Sequence, residues 1–265
     1  MSGQYKIEEH GGIATLVFNR PDVGNAISPE MVPGLTAFFT GAQSNPAIRC
    51  IVIRGEGKHF STGGDVAGFA RALEMDKTKL QAQFDQRLAA TGEMVEAVLA
   101  FDRPIIAAVR GAAAGAGLMF ALAADFVIAD ETALFMFSHL RISLPPDGGV
   151  SWLLPRLVGP RTATRLVLTA AAVGAAEALQ LHLINKITAV DVLEAETLKF
   201  AGRFADSPQA AIKAAKRLLR ISAANTAHAQ LEFERLSIVD CVANPDFAEG
   251  VGAFLEKRRA NFNGG

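Results

Sequence analysis

Three short runs constrain this chain more than anything else in it: IRCIVIRG at 48–55, PIIAAVRG at 104–111 and DFVIAD at 125–130. Each is apolar on successive residues, as a strand covered on both faces must be. Helical segments lie between them, including the polar, amphipathic stretch 77–100. Strands that alternate with helices need crossover connections, so the expected fold is a stacked α/β core.

The flanking segments fill in this frame. YKIEEHGGIATLVFN predicts a hairpin turning at His10-Gly11-Gly12. SPEMVPGLTAFFTGAQ predicts a helix with Ser28 as its N-cap and Pro29 at the first helical position. After Pro160, RTATRLVLTAAAVGAAEALQLHLI reads as helix and NKITA as a short strand. From Asp191 the pattern is almost wholly helical, with Ser207-Pro208 and Asn244-Pro245 starting new helices. The division predicted is an α/β core over residues 1–190 and a C-terminal helical region over 191–265.

The bulk numbers narrow the function classes. A chain of 265 residues that is half hydrophobic suits one large domain with ample core. A net charge of −1 supplies no basic field for nucleic acid or an anionic membrane, so neither is an expected partner. Cys50 and Cys241 make no disulfide framework, and the plain reading is a reduced cytosol. The N-terminal residues show no apolar signal core, and the Ala/Gly-rich stretch Gly111–Ala124 is too short to span a bilayer. A buried helix and a cytoplasmic protein are therefore expected. No ligand cluster has metal spacing, so no metal is expected.

Three segments carry chemistry. In KHFSTGGDV (58–66) two glycines before Asp65 let the backbone turn sharply and leave N–H groups uncovered; alone it reads better as an ordinary turn. In RGAAAGAGLMFALAAD (110–125) small residues pass directly into helix formers, which offers free N–H donors at a helix N-terminus or only close helix–strand packing. ISLPPDGGVSWLLPRLVG (142–159) holds a single carboxylate, Asp147, in apolar company. Together the first two turns could aim two backbone N–H groups at one oxygen, an oxyanion hole, with Asp147 as acid/base.

At this point the chain resembles the crotonase family, the enoyl-CoA hydratase/isomerase superfamily. LVFNRPDVGNAIS, HFSTGGDV, RPIIAAVRGAAAGAGLMFALAADFVIAD, PDGGVSWLLPRLVG and EGVGAFLEKRRANF match it in order along nearly the whole length. The resemblance implies a stacked ββα core with a C-terminal helical trimerisation region, a homotrimer or hexamer, and an acyl-CoA thioester substrate. It implies no cofactor beyond the CoA moiety of that substrate. The thioester oxygen would be held by the N–H groups of Gly64 and Ala116; losing one such donor typically costs about 3 kcal/mol of barrier. The CoA arm would run past RPDVGNA and FSTGGD, touching Arg20, Val23, Ala26, Ser61, Gly63, Asp65 and Val66. Phe254 would serve the adenine end from the neighbouring subunit, and Lys257 is a candidate for the phosphates. The Lys that many members place two positions after the motif Asp is Ala67 here, which leaves Arg20, Lys58 or Lys257 for the phosphates.

The acid/base positions decide the activity. The two glutamates of the family's hydratases fall on Met119 and His139, and neither can repeat the two-carboxylate machinery. Some members that shift double bonds place one Asp or Glu directly before the Gly-Gly of the later loop, and Asp147 fills that place. The resemblance thus implies an enoyl-CoA isomerase with Asp147 buried in the acyl pocket. The alternatives are a hydratase in which Asp147 or His139 replaces the glutamates, a member using Asp147 as nucleophile, and an acyl-CoA binder with little or no activity. Among plainer roles, Asp147 could cap the helix that follows, and His139 could be a packed core histidine. His59 and His182 read as structural or surface, Asp65 as a loop anchor and Trp152 as core.

Overall fold

The computed structural model describes residues 3–262; Met1, Ser2 and residues 263–265 lie outside them. The hairpin forms as predicted: β1 (Tyr5–His10) and β2 (Ile13–Phe18) pair antiparallel. The next helix, α1 (Val32–Ser44), starts later than Ser28 and Pro29 suggested. Residues 20–28 are held as a loop, with Ile27 N–H donating to Gly63 O at 2.7 Å. Ser28 Oγ donates to Gln4 Oε1 at 2.6 Å instead of capping, so Pro33 rather than Pro29 falls in the first helical turn.

β3 (Cys50–Gly55), β4 (Ile105–Val109) and β6 (Phe126–Asp130) are the three apolar runs. With β1, β2 and β9 (Lys186–Thr188) they form a six-stranded sheet in the order β1-β2-β3-β4-β6-β9, parallel from β2 onward. Only Arg110 and Gly111 separate β4 from β5 (Ala112–Ala114), which enters a second sheet in the order β5-β7-β8 with β7 (Leu134–Met136) and β8 (Ala172–Gly174). The turn of the ββα unit then delivers the chain into α4 (Gly115–Ala123), after α2 (Val66–Ala72) and α3 (Lys77–Ala100) have crossed over between β3 and β4.

The long helix expected after Pro160 is broken. α5 (Val150–Val158) and α6 (Pro160–Leu168) are followed by a left-handed turn at Ala170 (φ 47°), β8, and α7 (Ala175–Gln180). The demand is tertiary: β8 pairs antiparallel with β7, Val173 opposite Phe135, and helical propensity yields to that pairing. Trp152 is not in the core. It lies on the outer side of α5, about half exposed, with the Arg156 guanidinium 4.0 Å from its ring centroid.

Strand residues divide by parity, as pleating requires. Ile51 and Ile53 face a core that includes Phe18, Phe39, Phe60 and Phe120, with the Phe18 and Phe120 rings 5.2 Å apart. Cys50 and Val52 face the other way, onto Leu193 and Ala201 of α8 (Leu193–Ala205), so this helix is itself a layer of the sandwich. Burial pushes the Cys50 thiol up to about 12, which leaves it inert. α9 (Gln209–Ser222), α10 (Ala227–Val242) and α11 (Pro245–Glu256) complete the chain, with α9 and α11 starting at the two predicted prolines. Among the described residues no helix is long and apolar enough to cross a membrane. No group of three or more His, Cys, Asp or Glu is placed to hold a metal ion among them.

Candidate active site

The site begins where β3 and β4 end. Asn25, buried and at φ 57°, ties two loops together: its Oδ1 accepts from Arg20 N–H at 2.8 Å, and its Nδ2 donates to Glu56 O and His59 O at 2.8 and 2.6 Å. Thr62 N–H donates to Gly24 O at 2.9 Å. Arg20 Nη1 donates to Ala26 O at 2.8 Å, so this side chain braces its own loop. His59 is structural, its Nδ1 accepting from Ala112 N–H at 3.1 Å. Sequence reasoning passed over Asn25; an Asn directly after a glycine, in a position that favours left-handed backbone, was the available signal.

These ties bring Gly63 and Gly64 against the start of α4. A Cβ on Gly63 would stand 3.0 Å from Ala114 O, and one on Gly115 would stand 3.3 Å from Gly63 Cα. At Gly117 an added Cβ would meet the Ser61 side chain and carbonyl at 2.5–2.7 Å. Only glycine permits that contact, which explains the small residues of GAAAGAG. The N–H groups of Gly64 and Ala116 have no acceptor within the protein among the described residues. Ala116 stands in the first turn of α4, where no intrahelical partner exists and the helix dipole is positive. Two free donors at adjoining turns can stabilise an oxygen that gains negative charge.

The remaining groups follow along α4. Met119, one turn beyond Ala116, is fully buried, and the loop Asp147-Gly148-Gly149 lies directly on it: a Cβ on Gly148 would be 3.3 Å from Met119 Cβ. Asp147 does not cap α5, whose N-cap is Gly149 with no side-chain bond. Its Oδ1 instead lies 3.3 Å from His139 Nε2, which is buried and has no hydrogen bond of its own. The expected burial of Asp147 is absent in the single chain, where its side chain is 47% exposed. The prolines at 145 and 146 that made its sequence neighbourhood apolar do not enclose it in space.

The other predicted residues scatter more widely. Asp65 anchors its loop as expected, capping α2 by accepting from Gly68 N–H at 3.0 Å. Ser61 is buried and its Oγ accepts from Gly63 N–H at 3.3 Å. Val23 and Val66 are exposed beside them and Ala26 is buried. Lys58 is exposed, as is His182. Phe254 and Lys257 lie at the end of α11 with no bond or ring contact to these residues, and Phe254 is 82% exposed.

A model of the enoyl-CoA hydratase/isomerase family matches residues 8–265 of this chain. The chain is 37% identical over 262 residues to a probable enoyl-CoA hydratase of Rhodobacter capsulatus, covering 98% of this chain and 97% of that one. It is 31% identical over 260 residues to the 1,2-epoxyphenylacetyl-CoA isomerase of Escherichia coli, covering 96% and 95%. The crystal structure of an enoyl-CoA hydratase from a Polaromonas species superposes with a TM-score of 0.91 at 32% identity, covering 98% of this chain and 99% of that one.

Proposed function

The chain belongs to the enoyl-CoA hydratase/isomerase family, and from that premise we propose that it is an isomerase that shifts the double bond of an enoyl-CoA thioester. The observation that carries this reading is the single carboxylate, Asp147, beside His139 and Met119, where a two-glutamate water site would otherwise be. In the reaction Asp147 removes a proton from C2 of a 3-enoyl-CoA. The electron pair moves into the thioester, and the enolate oxygen takes the N–H bonds of Gly64 and Ala116. The protonated Asp147 then returns its proton at C4, giving the 2-enoyl-CoA. One carboxylate serves both steps, and no reactant beyond the acyl-CoA is consumed. The CoA arm runs along residues 20–26 and 61–66, with Phe254 of a neighbouring subunit at its adenine end and Arg20, Lys58 or Lys257 as candidates for its phosphates.

A second reading, hydration of a 2-enoyl-CoA, is favoured by one feature: Asp147 and His139 are close enough to hold a water between them and the acyl chain. Asp147→Asn tests both. Isomerisation of a 3-enoyl-CoA should fall by roughly 10²–10⁴ while acyl-CoA binding persists, and solvent deuterium should enter C2 or C4 more slowly. A 3-hydroxyacyl-CoA formed from the 2-enoyl substrate at a rate exceeding isomerisation would replace the first reading by the second. Full isomerase activity in Asp147→Asn would remove Asp147 as the base.

A further inference from the structure

Beside the main chain of Gly64 stand two aromatic rings and, among the described residues, a cation with no ion-pair partner. Phe69 of α2 closes on the main chain of Gly64: a Cβ there would lie 3.3 Å from Phe69 Cζ. The Phe84 ring of α3 meets Phe69 at 5.2 Å between centroids. The Arg87 guanidinium lies against both, its Cζ 5.0 Å from the Phe69 centroid and 5.5 Å from that of Phe84. One phenyl ring therefore separates Arg87 from the residue that supplies an oxyanion donor. α3 also passes the acid/base loop, since a Cβ on Gly149 would be 3.3 Å from Val95 Cγ1. Residue 87 precedes residue 95 by about 12 Å along the helix axis.

Arg87 is half-buried, and among the described residues its guanidinium has no carboxylate within ion-pair range and no hydrogen-bond acceptor. Other arginines of the chain differ. Arg71 on α2 pairs with Asp65 at 3.6 Å, and Arg103 is bonded to four carbonyls and to Asp102. Lying against two ring faces leaves the five N–H donors of the Arg87 fork unused. A second unsatisfied group stands one turn earlier on the same helix face: Gln83 Oε1 is buried without a donor. Its amide can take a donor through that oxygen or turn its NH₂ toward an anion.

We propose that Phe69, Phe84, Gln83 and Arg87 form a distal acyl subsite that selects an acyl-CoA ending in a carboxylate. This rests on the acyl-CoA reading above and names its substrate class. The rings cover the apolar methylenes, and Arg87 donates bidentately to the terminal carboxylate, as its planar fork is suited to do. The alternative occupant, an aromatic acyl group stacked on the rings, would need no cation.

Two measurements decide it. The first compares kcat/KM for 3-hexenoyl-CoA with that of the same chain bearing a terminal carboxylate. The wild type should favour the carboxylate by roughly tenfold or more, the scale of one charge-assisted pair. Arg87→Gln should abolish that ratio through KM, and Arg87→Lys should keep part of it. The second is calorimetric binding of saturated adipyl-CoA against hexanoyl-CoA, which needs no turnover. Tighter adipyl-CoA binding that is lost in Arg87→Gln supports the subsite even if neither enoyl substrate reacts, in which case only the isomerase reading falls. Equal binding in the wild type, an unchanged ratio in Arg87→Gln, or a preference for a phenyl-terminated acyl-CoA overturns the subsite whatever the activity.

Discussion

Ala116 offers its backbone, not its side chain, and this makes it a clean point of attack. Ala116→Gly keeps the N–H. Ala116→Pro removes it at a first-turn helix position, where proline costs a helix least. Turnover should fall by about 10²–10³ in the proline variant and little in the glycine variant, with far-UV circular dichroism confirming that both fold. Equal turnover in all three proteins would place the oxyanion elsewhere. His139 and Asp147 should behave as one unit, because the histidine's buried Nε2 has the carboxylate at 3.3 Å and no bond of its own. In single-turnover assays His139→Gln should lower the rate less than Asp147→Asn. The double variant should be no slower than Asp147→Asn alone, since a histidine acting through the carboxylate has nothing left to act on. Strictly additive losses would give His139 an independent role.

Among elements, α1 depends on a residue far from it in sequence. The Arg103 guanidinium is buried at the C-terminal end of α1, donating to Ala42 O and Gln43 O at 2.6 and 2.8 Å, to Asn45 O at 2.7 Å and to Ile48 O. It satisfies the terminal carbonyls and sits at the negative end of the dipole. Arg103→Met should destabilise the fold by about 3 kcal/mol or more, since buried acceptors would lose their donor; the urea midpoint reads this. The end of α11 carries an acid-sensitive tie. Arg258 bonds both Glu249 oxygens at 2.6 and 2.8 Å, and this holds the Glu249 carboxyl down at about 2 against its ordinary 4.5. Because the folded value is the lower one, the tie contributes above pH 4.5 and is lost as pH falls from 4.5 toward 2. Hydrogen-exchange protection at residues 257–262, taken relative to the intrinsic rate at each pH, should fall over that interval, and Arg258→Gln should flatten the change. The same scale shows what sequence could say. The runs 48–55, 104–111 and 125–130 were legible because a strand buried on both faces needs apolar residues throughout. Ser28-Pro29 misled because a cap-like pair was recruited by the Ile27–Gly63 bond, and the break at Ala170 was invisible because β7, its cause, lies over thirty residues away. At the site, GGD was legible as a sharp turn with uncovered N–H groups, and GAG as a helix start with free donors or close helix–strand packing. The placement of Phe69, Phe84 and Arg87 was not, since α2 and α3 bring them together only in space.

At the scale of the whole molecule the single chain leaves an apolar surface uncovered. On α10, Leu231, Ile238 and Val242 recur at spacings of seven and four and are all exposed, and Phe254 and Leu255 project from the end of α11. A stripe of this period is what a helix presents to a partner. The occupant proposed is further copies of the same chain, in a trimer or hexamer, and light scattering at micromolar concentration should return three or six times the chain mass. A monomer there would sink the proposal. The assembly and the site are then coupled. If Phe254 serves the adenine end of the CoA bound by its neighbour, a site confined to one chain is incomplete. Ile238→Asp with Val242→Asp buries charge in the apolar stripe and should dissociate the assembly. Acyl-CoA affinity should fall in step with the loss of assembly, although residues 20–26, 61–66 and 116–147 are untouched. Dissociated chains that bind acyl-CoA as tightly as the parent would show instead that one chain holds the whole CoA arm and that Phe254 belongs to the interface alone.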